Sequence, residues 1–271
     1  STDVTINGTF DAGEGALGGI NVTGDFTGRA IGILGIGDVT VGGDLTGTAG
    51  VTKFFTSSGT AGDSFLANMG SLTVTGDTNI TDNGRLIDVN ANGNFGDITL
   101  NGGGTAVGLI VTSGVLGGTT TGAISITGEA ASGVTVHGFD LDSGTLGNFT
   151  VTGDGTTGTT FALNDVANTG ISSTGGAFNL SDITVSGFDT ITLTDAIAPG
   201  AASTAGNFSF DANAGAAGTA FTATGAITIL ATSGTFTATS LLNTITGGIT
   251  ATTSSGAMTF NGATAFNGDI T

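Results

Sequence analysis

The stretch "GSLTVTGDTNITDNG", residues 70–84, decides the fold. Leu72 and Val74 alternate with threonine, and Gly76-Asp77 then interrupts the alternation. An alternation with a period of two predicts a β-strand with one buried face. Glycine permits the backbone angles of a sharp corner, and a neighbouring Asp can bond its own backbone there. The stretch therefore predicts a strand, a corner and the start of a second short strand.

Variants of this phrase recur along the chain at uneven intervals, several of them near 25 residues. Their first apolar residues are Val4, Ile20, Val39, Leu72, Ile98, Ile124, Phe149, Ile183, Phe208, Ile227, Ile249 and Met258. One strand repeated in this way is typical of a β-solenoid, in which insertions lengthen the turns between coils. Longer intervals contain further strand patterns, such as "TAVGLIVTSG" and "GVTVHGFDLDSG", as a three-faced coil requires.

These patterns predict an all-β protein, a right-handed parallel β-helix (β-solenoid) of about a dozen irregular coils. We expect one elongated domain over residues 1–271, with shorter and more regular coils from about residue 221 to residue 271. The structural alternative is an antiparallel β-sandwich or several of them, because many short strands with glycine turns also suit that fold.

The composition excludes several partners. The 271 residues include 52 Gly, 21 acidic and only three basic residues, for a net charge of −18. Nucleic acids and anionic membranes require clustered Lys and Arg, so neither is an expected partner. No apolar run approaches the length of a transmembrane segment. The acidity favours cations, above all calcium, which prefers oxygen ligands.

The best calcium candidate is "DVNANGNFGD", residues 88–97, which places oxygen side chains at alternate positions. Its predicted ligands are Asp88, Asn90, Asn92 and Asp97. Weaker candidates are the pairs Asp140 with Asp142 and Asp211 with Asn213. The competing interpretation is a set of ordinary turns rich in Asn, Asp and Gly. No organic cofactor is expected.

The polar residues of the recurring phrase predict a regular outer surface. If the coils stack in register, the outward side chains form two parallel ranks. The residues predicted to form this binding face are Thr73, Thr75, Thr99, Ser125, Thr127, Thr150 and Thr152. Flat ranks of threonine are a device of ice-binding solenoids, and threonine is also the usual residue of an exposed strand.

Enzyme activity is not expected. His137 is the only histidine, and no nucleophile motif accompanies it. "GDGTTG", residues 153–158, matches a dinucleotide-binding pattern without a helix pattern after it. Close acid pairs such as Asp11 with Glu14 lack the Trp, Tyr and basic residues that polysaccharide lyase sites usually contain.

The phrases "LTVTGD" (72–77), "ISITGE" (124–129), "FTVTGD" (149–154) and "ITLTDA" (191–196) carry a family resemblance. With the absence of Cys, they resemble the Gly/Thr/Ala-rich β-solenoid segments of bacterial cell-surface proteins, namely S-layer proteins and adhesin or autotransporter passengers. The resemblance implies an extracellular, cell-surface structural protein.

The function we expect from the sequence is a non-enzymatic subunit of a surface layer or filament, stabilised by calcium. Its partners would be further copies of itself or further repeats of a longer chain. An adhesin that binds a host ligand, for example through insertions at residues 51–68 and 155–181, is the first alternative. An ice-binding protein and a polysaccharide lyase are the other two.

Overall fold

The structure is a computed structural model, and every regular element it describes is a β-strand. The described residues are 4–11, 16–31, 35–46, 53–57, 68–79, 85–89, 96–101, 110–113, 124–127, 134–136, 138–141, 144–153, 155, 159–163, 170–172, 178–194, 197–198, 206–212, 220–225, 227–229, 235–251 and 257–271. This part of the chain contains no helix of the length and hydrophobicity that a membrane span needs.

The strands are short, and most contain two to five residues. In chain order they are β1 (Val4–Asp11), β2 (Ile20–Val22), β3 (Phe26–Ile31), β4 (Gly35–Ile36), β5 (Val39–Val41), β6 (Leu45–Thr46), β7 (Lys53–Ser57), β8 (Asn68–Met69), β9 (Leu72–Val74), β10 (Thr78–Asn79), β11 (Arg85–Val89), β12 (Ile98–Asn101), β13 (Ile110–Ser113), β14 (Ile124–Thr127), β15 (Val134–Val136), β16 (Gly138–Leu141), β17 (Gly144–Leu146), β18 (Phe149–Thr152), β19 (Thr160–Leu163), β20 (Gly170–Ser172), β21 (Phe178–Leu180), β22 (Ile183–Ser186), β23 (Thr190–Leu193), β24 (Ile197–Ala198), β25 (Phe208–Asp211), β26 (Ala220–Ala223), β27 (Ile227–Ile229), β28 (Phe236–Ile245), β29 (Ile249–Ala251) and β30 (Met258–Phe266).

Two large sheets contain nearly all of these strands. A 14-stranded sheet includes β2, β5, β9, β12, β14, β18, β22, β25, β28 and β30, and a 12-stranded sheet includes β3, β7, β11, β13, β16, β20, β24, β27 and β29. Neighbouring strands of a sheet are parallel and come from consecutive stretches of the chain. An antiparallel sandwich does not have this pairing, whereas a parallel β-helix is compatible with it.

The ten strands β2, β5, β9, β12, β14, β18, β22, β25, β28 and β30 form what we call the front row. The sequence predicted the start of nine of them. Three other predicted starts, Val4, Ile227 and Ile249, begin strands of the 12-stranded sheet instead. Phe236, which the sequence did not single out, takes the front-row place between Phe208 and Met258.

The alternation of buried and exposed residues creates the core. In β9, Leu72 and Val74 are buried while Thr73 is half-exposed, as the opening stretch predicted. The same pattern recurs in the neighbouring strands, so each apolar side chain stacks on its equivalent in the next strand. Towards the C-terminal strands this core becomes aromatic. The ring centroids of Phe210 and Phe221 are 5.3 Å apart, and those of Phe236 and Phe260 are 5.5 Å apart.

The 14-stranded sheet turns a corner inside β28. Residues 236–239 pair with β25, whereas residues 242–245 pair with β26. Polar side chains fill the inside of this corner, where Ser240 Oγ donates a 2.9 Å hydrogen bond to Asn243 Oδ1. Both residues are buried, and Asn243 also donates to the carbonyl oxygen of Asn261 at 3.3 Å. We call β15, β19, β23, β26 and the second halves of β28 and β30 the second row.

Candidate functional site

The register of the front-row strands aligns a continuous first rank of residues. The register aligns one residue from each of the ten strands. These are Asn21, Thr40, Thr73, Thr99, Ser125, Thr150, Thr184, Ser209, Thr237 and Thr259. Each carries a hydroxyl or an amide, and none is charged. Neighbouring strands of a sheet lie about 4.8 Å apart, so the rank is a regular polar ladder.

A second rank lies two residues further along the same strands, about 7 Å from the first. It consists of Asn101, Thr127, Thr152, Ser186, Asp211, Thr239 and Asn261. Thr75 lies one residue beyond β9, is exposed, and donates its backbone N–H to the carbonyl oxygen of Val41 at 2.9 Å. We call the two ranks together the threonine face.

The threonine face carries almost no charge. Of the 17 aligned positions, only Asp211 has an ionisable side chain. Asp211 is half-buried between Ser186 and Thr239, and its Oδ1 atom has no hydrogen-bond partner. The chain as a whole has a net charge of −18, so its acidic residues lie mainly elsewhere. The register thus aligns the Thr and Ser residues that the sequence predicted, other than Thr75, in a neutral surface flanked by acidic corners.

One flanking corner follows the front row and contains stacked aspartates. The Gly-Asp pairs predicted as corners lie in bends after β2, β5 and β9. Their carboxylates, however, do not bond only locally. Asp25 Oδ1 accepts the backbone N–H of Asp44 at 2.8 Å, and Asp44 Oδ1 accepts that of Asp77 at 2.8 Å. Asp25 and Asp44 therefore each tie their own bend to the equivalent bend one strand further on.

The other flanking corner precedes the front row and uses the same device. Asp38 Oδ1 accepts both the backbone N–H of Ser71 at 2.8 Å and its hydroxyl at 3.0 Å. The N–H bond, followed by the hydroxyl bond, lowers the pKa of the Asp38 carboxyl from its ordinary value of 3.8. Further along, Asp182 Oδ1 accepts the N–H of Asn207 at 2.8 Å, and Asn207 Oδ1 accepts the Thr235 hydroxyl at 2.9 Å.

The predicted calcium ligands are only partly within the described residues. Asp88 lies in β11, in register with Thr112 of β13, and Asp97 is exposed immediately before β12. Asn90, Asn92, Asp142 and Asn213 lie outside the described residues, as does His137. Where side chains are described, no group of three or more His, Cys, Asp or Glu residues is placed to hold a metal ion.

The register adds one relation that the sequence did not reveal. Thr112 also pairs with Asp140 of β16, so Asp88 and Asp140 occupy one rank with a single strand between them. Asp140 in turn pairs with Ser172. The two separate calcium candidates of the sequence thus lie on the same sheet, two strands apart.

The other predicted features lie only partly within the described residues. Asp11 lies in β1, while Glu14 is outside the described residues. Of the segment 153–158, only Gly153 and Gly155 are described. Much of the insertions at residues 51–68 and 155–181 also lies outside the described part.

Comparison with known proteins finds no protein-family model, curated protein or solved structure that matches the chain.

Proposed function

We propose that the strands wind into a right-handed parallel β-helix in which each coil contributes one strand to the front row. The in-register parallel pairing of consecutive segments supports this, with coil lengths of 19 to 34 residues between equivalent corner residues. The right-handed sense follows from the general preference of parallel crossover connections. Such a helix is stiff along its axis, because each coil is hydrogen-bonded to the coils on both sides.

We propose that the protein is a non-enzymatic, extracellular structural subunit that associates with other copies of itself into a surface layer or filament. The observation that carries this proposal is the neutral threonine face, with Asp211 as its only charge over 17 aligned positions. Burying a charge between two proteins costs much more than burying a hydroxyl that keeps a hydrogen bond. A face of Thr, Ser and Asn can therefore pack against another copy at little desolvation cost.

We propose that calcium offsets the negative charge of the rest of the molecule when copies associate. Two copies that each carry −18 repel one another at close range unless cations intervene. The aspartates stacked beside the threonine face, Asp25, Asp44 and Asp77, place carboxylates at its border. Calcium ions at this border would reduce the repulsion between neighbouring copies and bridge their carboxylates.

The test compares matched lysine substitutions on two rows. Thr184→Lys places a charge at the centre of the threonine face, and Thr192→Lys places one on the outward side of β23 in the second row. Both threonines are half-buried. Sedimentation and negative-stain electron microscopy, with calcium and with a chelator, report on assembly.

We expect the native chain and the Thr192→Lys variant to assemble in calcium, and the Thr184→Lys variant to remain dispersed. A native chain that stays dispersed at high concentration in calcium contradicts the proposal. Equal assembly of both lysine variants would show that the threonine face is not the surface through which the copies associate.

A further inference from the structure

The three basic residues of the chain lie close together in the sheet. Arg29, Lys53 and Arg85 belong to β3, β7 and β11, which are neighbours in the 12-stranded sheet. Lys53 and Arg85 are in direct register, and Arg29 lies one residue further along β3 than the position that continues this register. We call these three residues the basic column.

This grouping of bases is unfavourable unless an anion accompanies it. Like charges opposite each other on neighbouring strands destabilise a sheet. The chain has 21 acids, so pairing each base separately within one copy does not require the bases to be adjacent. A ligand with two negative charges one strand step apart, about 4.8 Å, can contact Lys53 and Arg85 together and offset their repulsion. The basic column therefore indicates a site for an anion whose charges repeat.

The same three coils carry a column of acids with the same repeat. Asp25, Asp44 and Asp77 directly precede β3, β6 and β10, and these three strands pair in register. Asp25 and Asp44 are exposed, and Asp77 is half-exposed. We call these aspartates the acidic column. Each coil thus runs from one acid to one base: Asp25 to Arg29, Asp44 to Lys53 and Asp77 to Arg85.

A narrow strip of sheet separates the two columns. Arg29 follows Asp25 by four residues, about 13 Å of extended strand. Phe26 and Leu45 are buried beneath the strip, and the threonine that follows each of them is half-buried. The strip is acidic along one border and basic along the other, so it is complementary to a second copy of itself.

We propose that two copies lie side by side through this strip, with the acidic column of each copy facing the basic column of the other. A two-fold axis parallel to the stack of strands produces this arrangement, which is closed and isologous. Each acid then meets the base of its own coil in the second copy, namely Asp44 with Lys53 and Asp77 with Arg85. The contact deepens the self-association proposed above and rests on it, because it names the border along which two copies meet. At these coils the bases do what calcium does at the remaining acids.

The spacing favours a second copy over an acidic polysaccharide as the partner. Both columns are built on neighbouring strands of the same coils, so their charges repeat at the same step of about 4.8 Å. A two-fold axis across the stack would set acid against acid, which like-charge repulsion disfavours. The strip measures only about 13 by 10 Å, well below the roughly 800 Å² per partner of a stable interface. The contact therefore fixes the orientation of the two copies, and the affinity comes from the surfaces around it.

Zero-length cross-linking tests the contact, because Lys53 is the only lysine of the chain. A carbodiimide activates a carboxylate, and an amine in contact with it displaces the activated group and forms an amide. Copies labelled with heavy nitrogen are mixed with unlabelled copies in calcium before the reaction. Mass spectrometry of the peptides then separates links between copies from links within one copy. We expect a mixed-isotope link between Lys53 and Asp44.

Three variants sharpen the assignment. Arg85→Lys keeps the charge and should add a second mixed-isotope link, from position 85 to Asp77 of the other copy. Arg85→Gln removes one charge of the basic column and should lower the yield of the link between Lys53 and Asp44 about threefold or more. Thr250→Asp, at an exposed residue of β29, changes the net charge by the same amount and should leave this yield unaltered.

The outcomes separate this contact from the function proposed above. Links from Lys53 only within one copy, for example to Asp82 or Asp88, would overturn the contact, as would a mixed-isotope link to an acid outside the acidic column. Saturable binding of polygalacturonate that Arg85→Gln abolishes would assign the basic column to an acidic polysaccharide and overturn it as well. Assembly in calcium without the Lys53 link would overturn this contact and leave the proposed function standing, whereas a chain that stays dispersed in calcium contradicts both.

Discussion

Replacing Phe221 by alanine measures how well the core described above is packed. Phe221 is fully buried, and its ring centroid lies 5.3 Å from that of Phe210 and 6.2 Å from that of Phe236. Removing a buried phenylalanine side chain costs about 3–5 kcal/mol, including the cavity that it leaves. Since the lost ring contacts belong to a continuous aromatic cluster, we expect a value of about 4 kcal/mol.

Phe266→Ala is the matched control at the end of the same cluster. Phe266 is 41% exposed, and its ring centroid lies 5.0 Å from that of Phe260. Its removal takes away less buried surface and leaves no enclosed cavity, so we expect a loss of about 2 kcal/mol or less. Phe221→Leu, which keeps most of the volume, should cost about 1.5 kcal/mol or less.

The assay is urea denaturation followed by far-ultraviolet circular dichroism, because the chain has no Trp or Tyr for fluorescence. The protein concentration must be low enough for the chain to be monomeric, so that association does not add to the measured stability. If Phe221→Ala lowers the free energy of unfolding no more than Phe266→Ala does, the description of Phe221 as part of a closely packed core is wrong.

Three further predictions concern single positions. Gly187→Ala should destabilise the protein more than Gly155→Ala. Both glycines have positive φ angles, but only at Gly187 would an added Cβ press against a neighbouring backbone, that of Gly153. Denaturant midpoints compare the two variants, and we expect a loss of about 1 kcal/mol for Gly155→Ala. Asp38→Asn should flatten the acid end of the stability–pH curve, because a carboxyl with a lowered folded pKa stabilises above its ordinary 3.8 and loses that contribution as the pH falls through the folded value. Asn243→Ala should cost about 1–3 kcal/mol by leaving the buried Ser240 hydroxyl without its acceptor, and adding Ser240→Ala should recover part of the loss in a double-mutant cycle.

The sequence predicted the individual strands better than their partners. Alternation identified Leu72 and Val74 as inward residues because burial on one face follows directly from the two-residue period. The same phrase begins at Ile183 in the front row and at Ile227 in the other large sheet. Alternation says which side of a strand is buried, and it does not say which row of the stack that strand joins.

The corner hydrogen bonds were not predictable from one coil. The sequence predicts turns at the Gly-Asp pairs, yet Asp44 accepts a hydrogen bond from the backbone N–H of Asp77, 33 residues further along the chain. Likewise, the sequence presents Asp88 and Asp140 only as members of separate calcium candidates, and the register of β11, β13 and β16 places them in one rank. Contacts between coils depend on insertion lengths that leave no periodic signal in the sequence.

Distances along the first rank of the threonine face test the central claim, that successive coils stack in parallel and in register. Spin labels at Thr237 and at Thr99, or at Thr237 and at Thr40, span five and seven strand steps. At about 4.8 Å per step, pulsed electron paramagnetic resonance should give about 24 Å for the first pair and about 34 Å for the second. Distances that grow by equal increments with the number of strands support the stack. Distances that stop increasing, or change order, would contradict it.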